Sequence, residues 1–568
     1  MKLSFIKKIA GLLALACLWV WPWPVAAQQV QHLAVAQPGG IPGLPVLTGI
    51  EVVSNGVNVT WAGPSGYYQV WQKQNLAAAR WTSVGKGTNL ARNATITSLT
   101  NNAFFRVSGP SPNYLGSQGC AECHANIRGT ALNTPHFGAF TNAAFAVAGG
   151  QTNVSCLVCH TVGFGAPTGF VSPSKTPLLA NVQCENCHGP AANHAANPGD
   201  PTVIPQVDLA ATVCGGCHSA SQTSYPNPPT FEEWSASEHA AVTPDVLQVM
   251  SASTNNIRTC GVCHSGSARL AMINGSDPAI VLTKDYNVPQ TCAICHDPHQ
   301  TNAYPFQLRN PMASFDNFEL TSSNVATEAS FTNTYKASVN INLCAQCHND
   351  RGAAWSDTAR APHYSLQYNL LLGSVGEQLY LPSPFPGPHS GLPSTAIYST
   401  NGVFYLTNQC ASCHMPPETA SSSAHNHTFS PSYNVCLNCH DGPSYQASLS
   451  YNLSNQVCQV LTDLNRWAGV QTNSLLATNG IVAWEYSTPG GLTWQANPAG
   501  VVTNWSLNNP VTFTGPGSAG QQLIPDNIKK ARFDLYLILN DGSFGVHNPL
   551  YASFLLQSAD AFVLSTPK

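Results

Sequence analysis

The sequence predicts a mixed fold built from three successive parts: a small N-terminal β-sandwich, a long loop-rich region with short α-helices, and a C-terminal α+β segment. Apolar and polar residues alternate in short runs across residues 48–109, which is typical of half-buried strands. Closely spaced cysteine pairs, separated by stretches rich in Pro, Gly and Asn, occupy residues 110–445. Two helical patterns follow in residues 446–568.

The composition excludes two broad classes of protein. Hydrophobic residues make up 43% of the 568 residues, which is enough for several cores, whereas charged residues make up only 8%. The 22 Lys and Arg against 26 Asp and Glu leave no cationic face, so we expect no nucleic-acid partner. Sparse charge together with 9% aromatic residues also argues against charge-driven disorder.

Residues 1–27 have the pattern of a secretory signal peptide. A lysine-containing start precedes the apolar run Ile9–Val20 and the small-residue cleavage site Val25–Ala27. A retained membrane anchor and a lipid attached at Cys17 are the alternatives, and the shortness of the run argues against an anchor. No later run is apolar enough to span a bilayer. We therefore expect an exported protein, periplasmic, extracellular or at the cell surface, without a membrane span after signal removal.

Residues 28–47 read as a tail and a Pro/Gly linker, and residues 48–109 as the β-sandwich. Asn55 and Gly56 form a hairpin signal, and the apolar residues after them fall on alternate positions. Four further short runs complete the pattern: Tyr68–Trp71, Trp81–Val84, Ala94–Leu99 and Phe104–Val107. This part resembles fibronectin type III modules only loosely and carries no chemical motif. We expect it to act as a spacer or cap, with docking as the alternative.

Eighteen of the twenty cysteines fall in nine CxxCH units. Random placement of 20 Cys and 19 His would give only about 0.02 such units. The nine units are Cys120/Cys123/His124, Cys156/Cys159/His160, Cys184/Cys187/His188, Cys214/Cys217/His218, Cys260/Cys263/His264, Cys292/Cys295/His296, Cys344/Cys347/His348, Cys410/Cys413/His414 and Cys436/Cys439/His440.

CxxCH is the attachment motif of c-type haem. The two thiols add to the porphyrin vinyl groups, and the adjacent His reaches the iron as proximal ligand. A zinc ribbon does not need the His, and a redox CxxC needs a single copy, so neither explains nine complete units. The sequence therefore predicts nine covalently attached c-type haems. Their first-cysteine intervals are too irregular for a solenoid. The region has few residues per haem, so the porphyrins must form much of its core. We therefore expect that this region does not fold without haem.

Ten histidines remain after the nine proximal ones, which nearly matches the nine sixth ligands needed. Most of them are therefore predicted distal ligands, and the bis-His set favours low potentials and electron transfer over substrate chemistry. The ten are His32, His136, His194, His239, His299, His363, His389, His425, His427 and His547.

The spacing of some candidates restricts which haem they can serve. His299 and His194 follow proximal histidines so closely that we expect each to serve a neighbouring haem. His425 and His427 are two residues apart, so each faces a different iron or one is spare. His32 lies in the tail and is either a plain tail residue or a ligand to a haem of an adjacent molecule.

These motifs give the chain its resemblance to multihaem c-type cytochromes. Residues 116–218 resemble nitrifier-type tetrahaem cytochromes, through Gly116–Cys120, Cys156–Gly165 and Val182–Pro190 with His194 after it. The haem count and the sparse charge are also similar to those of extracellular cytochrome filaments. The resemblance implies an electron carrier, and it keeps an intermolecular role for His32 open, because some filaments use such a ligand.

The C-terminal segment lacks haem motifs, although Asp541–Tyr551 resembles a helix entry common in larger family members. Ile481–Tyr486 and Val501–Leu507 are predicted strands. Cys458, outside any motif, is predicted to be a buried free thiol. We expect this segment to pack on the haem region.

Two helices end the segment. The first is predicted from Pro525 to Leu539, and Asn540–Gly542 ends it. It should bury the face formed by Ile528, Ala531, Leu535 and Ile538. Asn548 then caps a second helix that begins at Pro549 and runs to about Val563.

The function predicted from these features is electron transfer by an exported nonahaem cytochrome, toward a periplasmic or extracellular acceptor. We expect a carrier rather than a catalyst, with redox proteins or an extracellular acceptor as partners and with self-assembly into an oligomer or filament as a further expectation. One alternative is an oxidoreductase acting on a small nitrogen or sulfur compound at one open haem. The family that the chain resembles includes such enzymes, and several of them carry a CxxCK motif. This motif is absent here. The other alternative is a structural secreted protein with haems as its core.

Overall fold

The computed structural model of the protein describes residues 46–567 with gaps, the longest of them at residues 315–340. The predicted signal peptide, the tail and His32 lie outside the described residues. Two compact units divide the chain, one ending at Asn227 and the other beginning at Pro228. The first unit holds four CxxCH motifs and the second unit holds five. The break between them falls inside the predicted haem region, whose boundaries stay predictions.

The first unit opens with two small antiparallel sheets, of order β1-β2-β5 and β4-β3-β6. The hairpin predicted at Asn55 and Gly56 is present, because Val53 of β1 pairs with Gly56 of β2. The strands are β1 (Val46–Val53), β2 (Gly56–Ala62), β3 (Tyr68–Lys73), β4 (Thr82–Gly87), β5 (Asn93–Ile96) and β6 (Phe104–Ser108).

Buried residues from both sheets belong to one apolar cluster. Val57, Val59 and Trp61 alternate inward along β2, as the pattern predicts. The Trp61 and Tyr68 rings, one from each sheet, lie 5.4 Å apart. Each fully buried apolar side chain contributes about 1.5–3 kcal/mol, so this module has a core of its own. Closure of the two sheets into a sandwich stays a prediction.

The haem region consists of short helices joined by loops, as predicted. Its α-helices are α1 (Ala125–Ala131), α2 (Ala143–Val147), α3 (Val154–His160), α4 (Cys184–His188), α5 (Ala192–Ala196), α6 (Thr212–Gly215), α7 (Thr230–Ser235), α8 (Pro244–Ser251), α9 (Thr254–Asn256), α10 (Val262–His264), α11 (Gly266–Ile273), α12 (Cys292–Cys295), α13 (Gln367–Leu372) and α14 (Cys410–His414).

Several motifs outside these helices lie on single helical turns. A π-helical turn at Ile257–Gly261 leads into α10, and the strands β7 (Ile397–Ser399) and β8 (Gly402–Phe404) form a small hairpin. The 3-10 turns at Ser117–Cys120, Cys344–Gln346 and Tyr433–Asn438 carry motif cysteines.

The second unit ends in long helices that share a large apolar core. They are α15 (Ser444–Gly469), α16 (Ser474–Ala477), α17 (Ser518–Gln521), α18 (Asp526–Asp541) and α19 (Pro549–Ser565), with strands β9 (Leu492–Ala496) and β10 (Val502–Leu507) between them. The core also includes Leu366, Leu370 and Val375, so it continues into the segment around α13.

The predicted boundaries of the last two helices are confirmed. Gly542 takes a left-handed backbone with φ 71° and ends α18, and the Asn548 side chain accepts a hydrogen bond from the Tyr551 N–H at the start of α19. The burial of α18 exceeds the predicted stripe, because the helix also buries residues such as Phe533 and Leu537. No helix among the described residues has the length and apolarity needed to cross a membrane.

One predicted strand is wrong and one long helix was not predicted. Residues Ile481–Tyr486 form a 3-10 turn and irregular backbone instead of a strand. A fully buried apolar run does not distinguish a strand from other buried structure, and Trp484 and Tyr486 are buried completely. The missed helix α15 had a signal at helical spacing in Leu453, Val457, Val460, Leu461 and Leu464.

Cys458 lies on the missed helix α15. Its thiol is free, as predicted, but half-buried instead of fully buried.

Candidate haem-binding sites

The CxxCH motifs place the histidine one helical turn after the first cysteine. The histidine N–H donates to the carbonyl of that cysteine, so both side chains project from the same turn. The bonds are His124–Cys120 (2.9 Å), His218–Cys214 (2.9 Å), His296–Cys292 (2.9 Å), His348–Cys344 (2.9 Å) and His440–Cys436 (2.7 Å).

Among the described residues, seven proximal histidines face a second histidine ring. In every pair one ring belongs to a CxxCH motif and the other to the ten predicted distal candidates. The ring centroids are separated by 6.2–6.5 Å: His124–His194 (6.5 Å), His136–His218 (6.2 Å), His239–His348 (6.2 Å), His264–His363 (6.2 Å), His296–His427 (6.5 Å), His389–His440 (6.4 Å) and His414–His547 (6.4 Å).

This separation leaves room for one iron between the two rings. A metal–imidazole bond is about 2.0 Å long, and a ring centroid lies about 1.1 Å behind its coordinating nitrogen. Two imidazoles on opposite sides of one iron therefore have centroids about 6 Å apart. The paired rings and the flanking cysteines together provide the donor set of a bis-His c-type haem.

Hydrogen bonds at Nδ1 orient many of these rings. An Nδ1 that meets a carbonyl oxygen must donate its proton, which leaves Nε2 with a lone pair for a metal. The carbonyl partners are Ala139 for His160 (2.9 Å), Phe306 for His296 (2.8 Å), Val546 for His389 (2.6 Å), Phe429 for His414 (2.8 Å), Met415 for His425 (2.8 Å) and His425 for His427 (2.7 Å).

Two other rings meet neutral side chains, and one meets a carboxylate. His348 Nδ1 lies 3.2 Å from Gln367 Oε1, and His363 Nδ1 lies 3.1 Å from Ser365 Oγ. His547 Nδ1 lies 2.6 Å from Asp541 Oδ1. The Asp541 side chain is only 1% exposed.

Burial keeps several distal imidazoles neutral, which is the form that binds iron. Desolvation, helped by nearby His348, lowers the pKa of His239 to about 4. Desolvation and the charge of Arg351 likewise lower the pKa of His363 to about 4. His547 differs, because Asp541 outweighs desolvation and raises its pKa above the ordinary value.

His160 stacks on an aromatic ring, as the paired His440 does on Tyr445 (4.2 Å, 8°), but it lies outside the seven pairs. Its ring stacks on Phe145 with centroids 4.1 Å apart and an interplanar angle of 9°. Among the described residues, none of the ten distal candidates lies in ring contact with it. The other unit-one motif outside the seven pairs ends at His188, which makes other contacts.

The candidates outside the seven pairs are placed differently from one another. His299 is 48% exposed and its N–H donates to Asp297 (3.0 Å). His425 lies edge-on to Phe306, at 5.8 Å. Of the two closely spaced candidates, His427 has the proximal partner. The ligand roles of His299 and His425 stay predictions.

Most of the predicted attachment cysteines lie in partly covered positions. The half-buried ones are Cys120, Cys156, Cys159, Cys184, Cys187, Cys214, Cys217, Cys260, Cys263, Cys292, Cys295, Cys344, Cys347, Cys410, Cys413 and Cys436. Such positions suit thiols at the edge of a bound porphyrin, because a thiol closed off on all sides could not reach a vinyl group.

Two attachment cysteines differ from this pattern. Cys123 is exposed. Cys439, in the motif that ends at His440, lies outside the described residues. Cys413 of the His414 motif follows the pattern, and its carbonyl accepts from the Ser432 N–H at 3.0 Å. The haem-attachment roles of Cys123, Cys413 and Cys439, like those of the other motif cysteines, stay predictions.

Cysteines of different motifs approach one another. Side-chain hydrogen bonds join the thiols Cys120–Cys184 and Cys159–Cys217 in the first unit, and Cys263–Cys347 and Cys344–Cys410 in the second unit. Cys295 also lies close enough to Cys344 and Cys347 to interact electrostatically. If these cysteines attach haem as predicted, the edges of different haems would be close together.

Two polar clusters around the motifs were not predicted from the sequence. The buried amide of Gln409 accepts from Asn342 Nδ2 (2.8 Å) and donates to the carbonyls of Ser314 and Ser390 (2.8 Å each). It thereby joins the segments before two motifs. Arg269 also donates to Gln346, inside the Cys344–His348 motif.

Glu185 lies inside a motif and crosslinks it to another segment. Its buried carboxylate accepts from the N–H groups of Gly116 (2.8 Å) and Ala191 (2.9 Å). Burial raises the pKa of Glu185 against the effect of these bonds. A carboxylate within CxxCH is not a sufficient signal, because Glu122 occupies such a position too and is exposed.

Comparison with known proteins finds similarity over parts of the chain. The family model described as cytochrome c554 and c-prime matches residues 119–189. Cytochrome c-554 of Nitrosomonas europaea is 47% identical over 38 residues, which are 7% of this chain and 16% of that protein. Multiheme cytochrome MtrA of Shewanella baltica is 26% identical over 171 residues, 26% of this chain and 45% of that protein. The chain thus spans less than half the length of these relatives.

Two solved structures share a broad likeness. The undecaheme cytochrome from the S-layer of Carboxydothermus ferrireducens gives a TM-score of 0.44 at 19% identity, covering 81% of this chain and 70% of that one. The outer cell wall cytochrome OcwA gives a TM-score of 0.46 at 17% identity, covering 79% of this chain and 99% of that one.

Proposed function

Because the chain is a multihaem c-type cytochrome, we propose that it carries electrons through nine covalently attached haems, most of them held by two histidines. Each iron would alternate between ferric and ferrous, gaining one electron from a donor or neighbour and passing it on. The observation that carries the proposal is the set of seven proximal–distal ring pairs at 6.2–6.5 Å. Two protein ligands leave an iron no free position for a substrate.

The contacts between motifs support transfer from haem to haem. Cysteine side chains of four motif pairs lie next to each other, and each of these cysteines would attach at a porphyrin edge. Electron tunnelling falls steeply with distance, so neighbouring edges favour rapid exchange. Burial around these edges also excludes water and lowers the reorganisation that accompanies each transfer.

We place the carrier outside the cytoplasm. The support for this is the signal-peptide pattern of residues 1–27. The acceptor would be a redox protein or an extracellular acceptor, and assembly into an oligomer or filament is part of the proposal. The two-sheet module would form a β-sandwich that serves as a spacer or cap, since it has its own core and no haem motif.

Electron paramagnetic resonance of the oxidised, mature protein tests the carrier function. We expect low-spin ferric signals of bis-His haems and complete, reversible reduction in a redox titration. Haem quantitation should give nine haems per chain. A molecule whose haems do not exchange electrons with one another, or whose ferric signals are mainly high-spin, would contradict the proposal.

The second candidate function is an oxidoreductase with one open haem, and the surroundings of His160 favour it. The carrier proposal expects no carbon monoxide binding to the reduced, native protein. Binding of one carbon monoxide per molecule would favour the oxidoreductase. His239→Ala provides a matched positive control, because it removes the ring facing His348 and should create one binding site.

A further inference from the structure

We propose that Asp541 is a positioning residue for His547 and makes the haem of His414 and His547 one of the lowest in potential. The inference rests on the proposed electron-carrier function. It assigns to one buried carboxylate the task of tuning one position in the chain of haems.

The end of α18 positions the carboxylate. Asp541 is the last residue of the helix, and Gly542, with φ 71°, turns the chain back. The turn brings His547 Nδ1 to 2.6 Å from Asp541 Oδ1. On the other side, the Ser543 hydroxyl donates to Oδ2, and the Ser543 N–H approaches the same oxygen at 3.2 Å. Both carboxylate oxygens are thus fixed.

The charge of the acceptor distinguishes this ligand from the histidines whose Nδ1 meets a backbone carbonyl. Rings such as His296, His389 and His414 donate Nδ1–H to backbone carbonyls. A carboxylate accepts the same proton more strongly and gives the imidazole more anionic character. A more anionic ligand favours ferric over ferrous iron, so the haem is harder to reduce.

Burial makes the effect large enough to measure. The Asp541 side chain is 1% exposed and the His547 side chain 22% exposed, so water screens their interaction little. The neighbouring pair offers an internal reference within the same loop. His389, which faces His440, donates to the carbonyl of Val546, the residue directly before His547.

Asp541→Asn in the mature, full-length protein tests the inference. The variant keeps the size of the side chain and removes its charge. In a spectroelectrochemical titration at fixed pH we expect the midpoint potential of one low-potential haem to rise. A shift of about 59 mV corresponds to a change on the order of tenfold in the equilibrium constant of its one-electron reduction. The ferric resonance of one low-spin haem should shift with it, while haem content stays unchanged.

Asp526→Asn is the matched control, because it removes a carboxylate at the opposite, exposed end of the same helix. We expect it to leave every midpoint in place. Midpoints that all stay unchanged in Asp541→Asn, with nine haems still low-spin, would overturn the inference. So would equal shifts in both variants.

Ser543→Ala keeps the inference testable if Asp541→Asn loses haem or folds poorly. It leaves the charge and removes a hydroxyl that donates to Asp541 and also accepts from the backbone N–H of His547 at 3.2 Å. With the competing donor gone, Asp541 accepts more strongly from His547 Nδ1, so the same midpoint should fall. No change, or a rise, would overturn the inference. If instead the haems shift as expected but do not exchange electrons with one another, the carrier function fails and this inference stands.

Discussion

The fold opposes ionisation of the buried carboxyl group of Glu485. It is completely buried, its Oε2 accepts from the Tyr536 hydroxyl at 2.7 Å, and its Oε1 accepts from the Tyr486 N–H at 2.8 Å. Desolvation dominates and raises the pKa of Glu485 from 4.5 to about 7. The folded protein therefore binds this proton more tightly than the unfolded chain does.

Stability should fall as the pH rises through the interval from 4.5 to about 7. One pKa unit corresponds to about 1.4 kcal/mol, so the ionisation of Glu485 costs on the order of 3 kcal/mol. We expect Glu485→Gln to remove this part of the pH dependence and to be the more stable protein above pH 7. Thermal unfolding at pH 5 and pH 8 measures it.

Glu51→Gln, on an exposed site of β1, is the control and should leave the pH profile unchanged. A Glu485→Gln profile as steep as that of the native protein would contradict the assignment.

At the residue scale, the sequence predicts the covalent chemistry better than the pairing of ligands. The CxxCH unit is local, since two thiols and an imidazole lie within one helical turn. The distal pairing depends on tertiary structure: His239 faces His348, more than a hundred residues away. A count of histidines indicates that such partners exist, but only the fold brings two rings to about 6 Å. The contact of Asp541 with His547 is local, six residues apart, but it depends on the left-handed turn at Gly542, which brings the two side chains together.

At the scale of elements, the segment around Gly376 packs tightly on the last two long helices. Gly376 has φ 109°, and a Cβ there would lie 2.5 Å from Leu555 Cδ2 of α19 and 3.2 Å from Asp534 Oδ1 of α18. The next N–H, of Glu377, donates to that same Asp534 oxygen at 2.7 Å. This contact helps to fix the C-terminal core against the haem-bearing part of the second unit.

Gly376→Ala should destabilise the second unit by about 2 kcal/mol, because the added methyl group meets Leu555 in a backbone conformation that alanine resists. Thermal unfolding followed by circular dichroism measures the loss. Gly469→Ala, at the end of α15, is the matched control: its Cβ meets nothing within 4 Å, and a change within about 0.5 kcal/mol is expected. Equal effects of the two substitutions would contradict the packing argument.

Secondary-structure predictions are correct where several local signals agree, and they are wrong where burial hides the pattern of apolar residues. β2 alternates, and α19 carries both a cap and an N-terminal proline, so both were predicted. The run Ile481–Tyr486 is apolar almost throughout, since much of it is covered, and it was read wrongly as a strand. In α15 the helical periodicity was present, but it lay in a stretch without clear start signals.

At the scale of the whole molecule, haem and protein contribute different cores. The two-sheet module has an apolar cluster drawn from residues 47–107 alone. The first haem-bearing segment has a small cluster, centred on Phe140, Leu157 and Phe170. Folding of the haem segments should therefore depend on attachment of the cofactor.

Limited proteolysis of the chain produced without haem attachment should cut throughout residues 113–313, and it should spare a fragment near residues 46–108 and the C-terminal core that includes Leu366 and Leu370. Mass spectrometry of the fragments measures this, and the mature protein is the control, with cleavage confined to exposed loops. Digestion of the two-sheet module at the same rate as the haem segments would contradict a separate core.

The Cys344–His348 motif should lie beside three other haems. Its cysteines contact Cys263 and Cys410 and lie near Cys295, which belong to three different motifs. His239→Met should raise the midpoint of this haem, since methionine ligation raises potentials. This haem then takes up an electron first, and the added negative charge should lower the midpoint potentials of the three neighbouring haems. His363→Met, at a neighbouring haem, is the control and should disturb fewer; equal numbers would contradict the arrangement.

Such a junction of haems would give the second unit a tolerance to damage that a single linear chain of haems would lack. If one of the three neighbouring haems is damaged or loses its iron, electrons would still pass between the other two through the haem of the Cys344–His348 motif. The vulnerable haem would then be the one bound by the Cys344–His348 motif. Arg269 holds this motif through Gln346, and Gln409 holds the segment before it through Asn342.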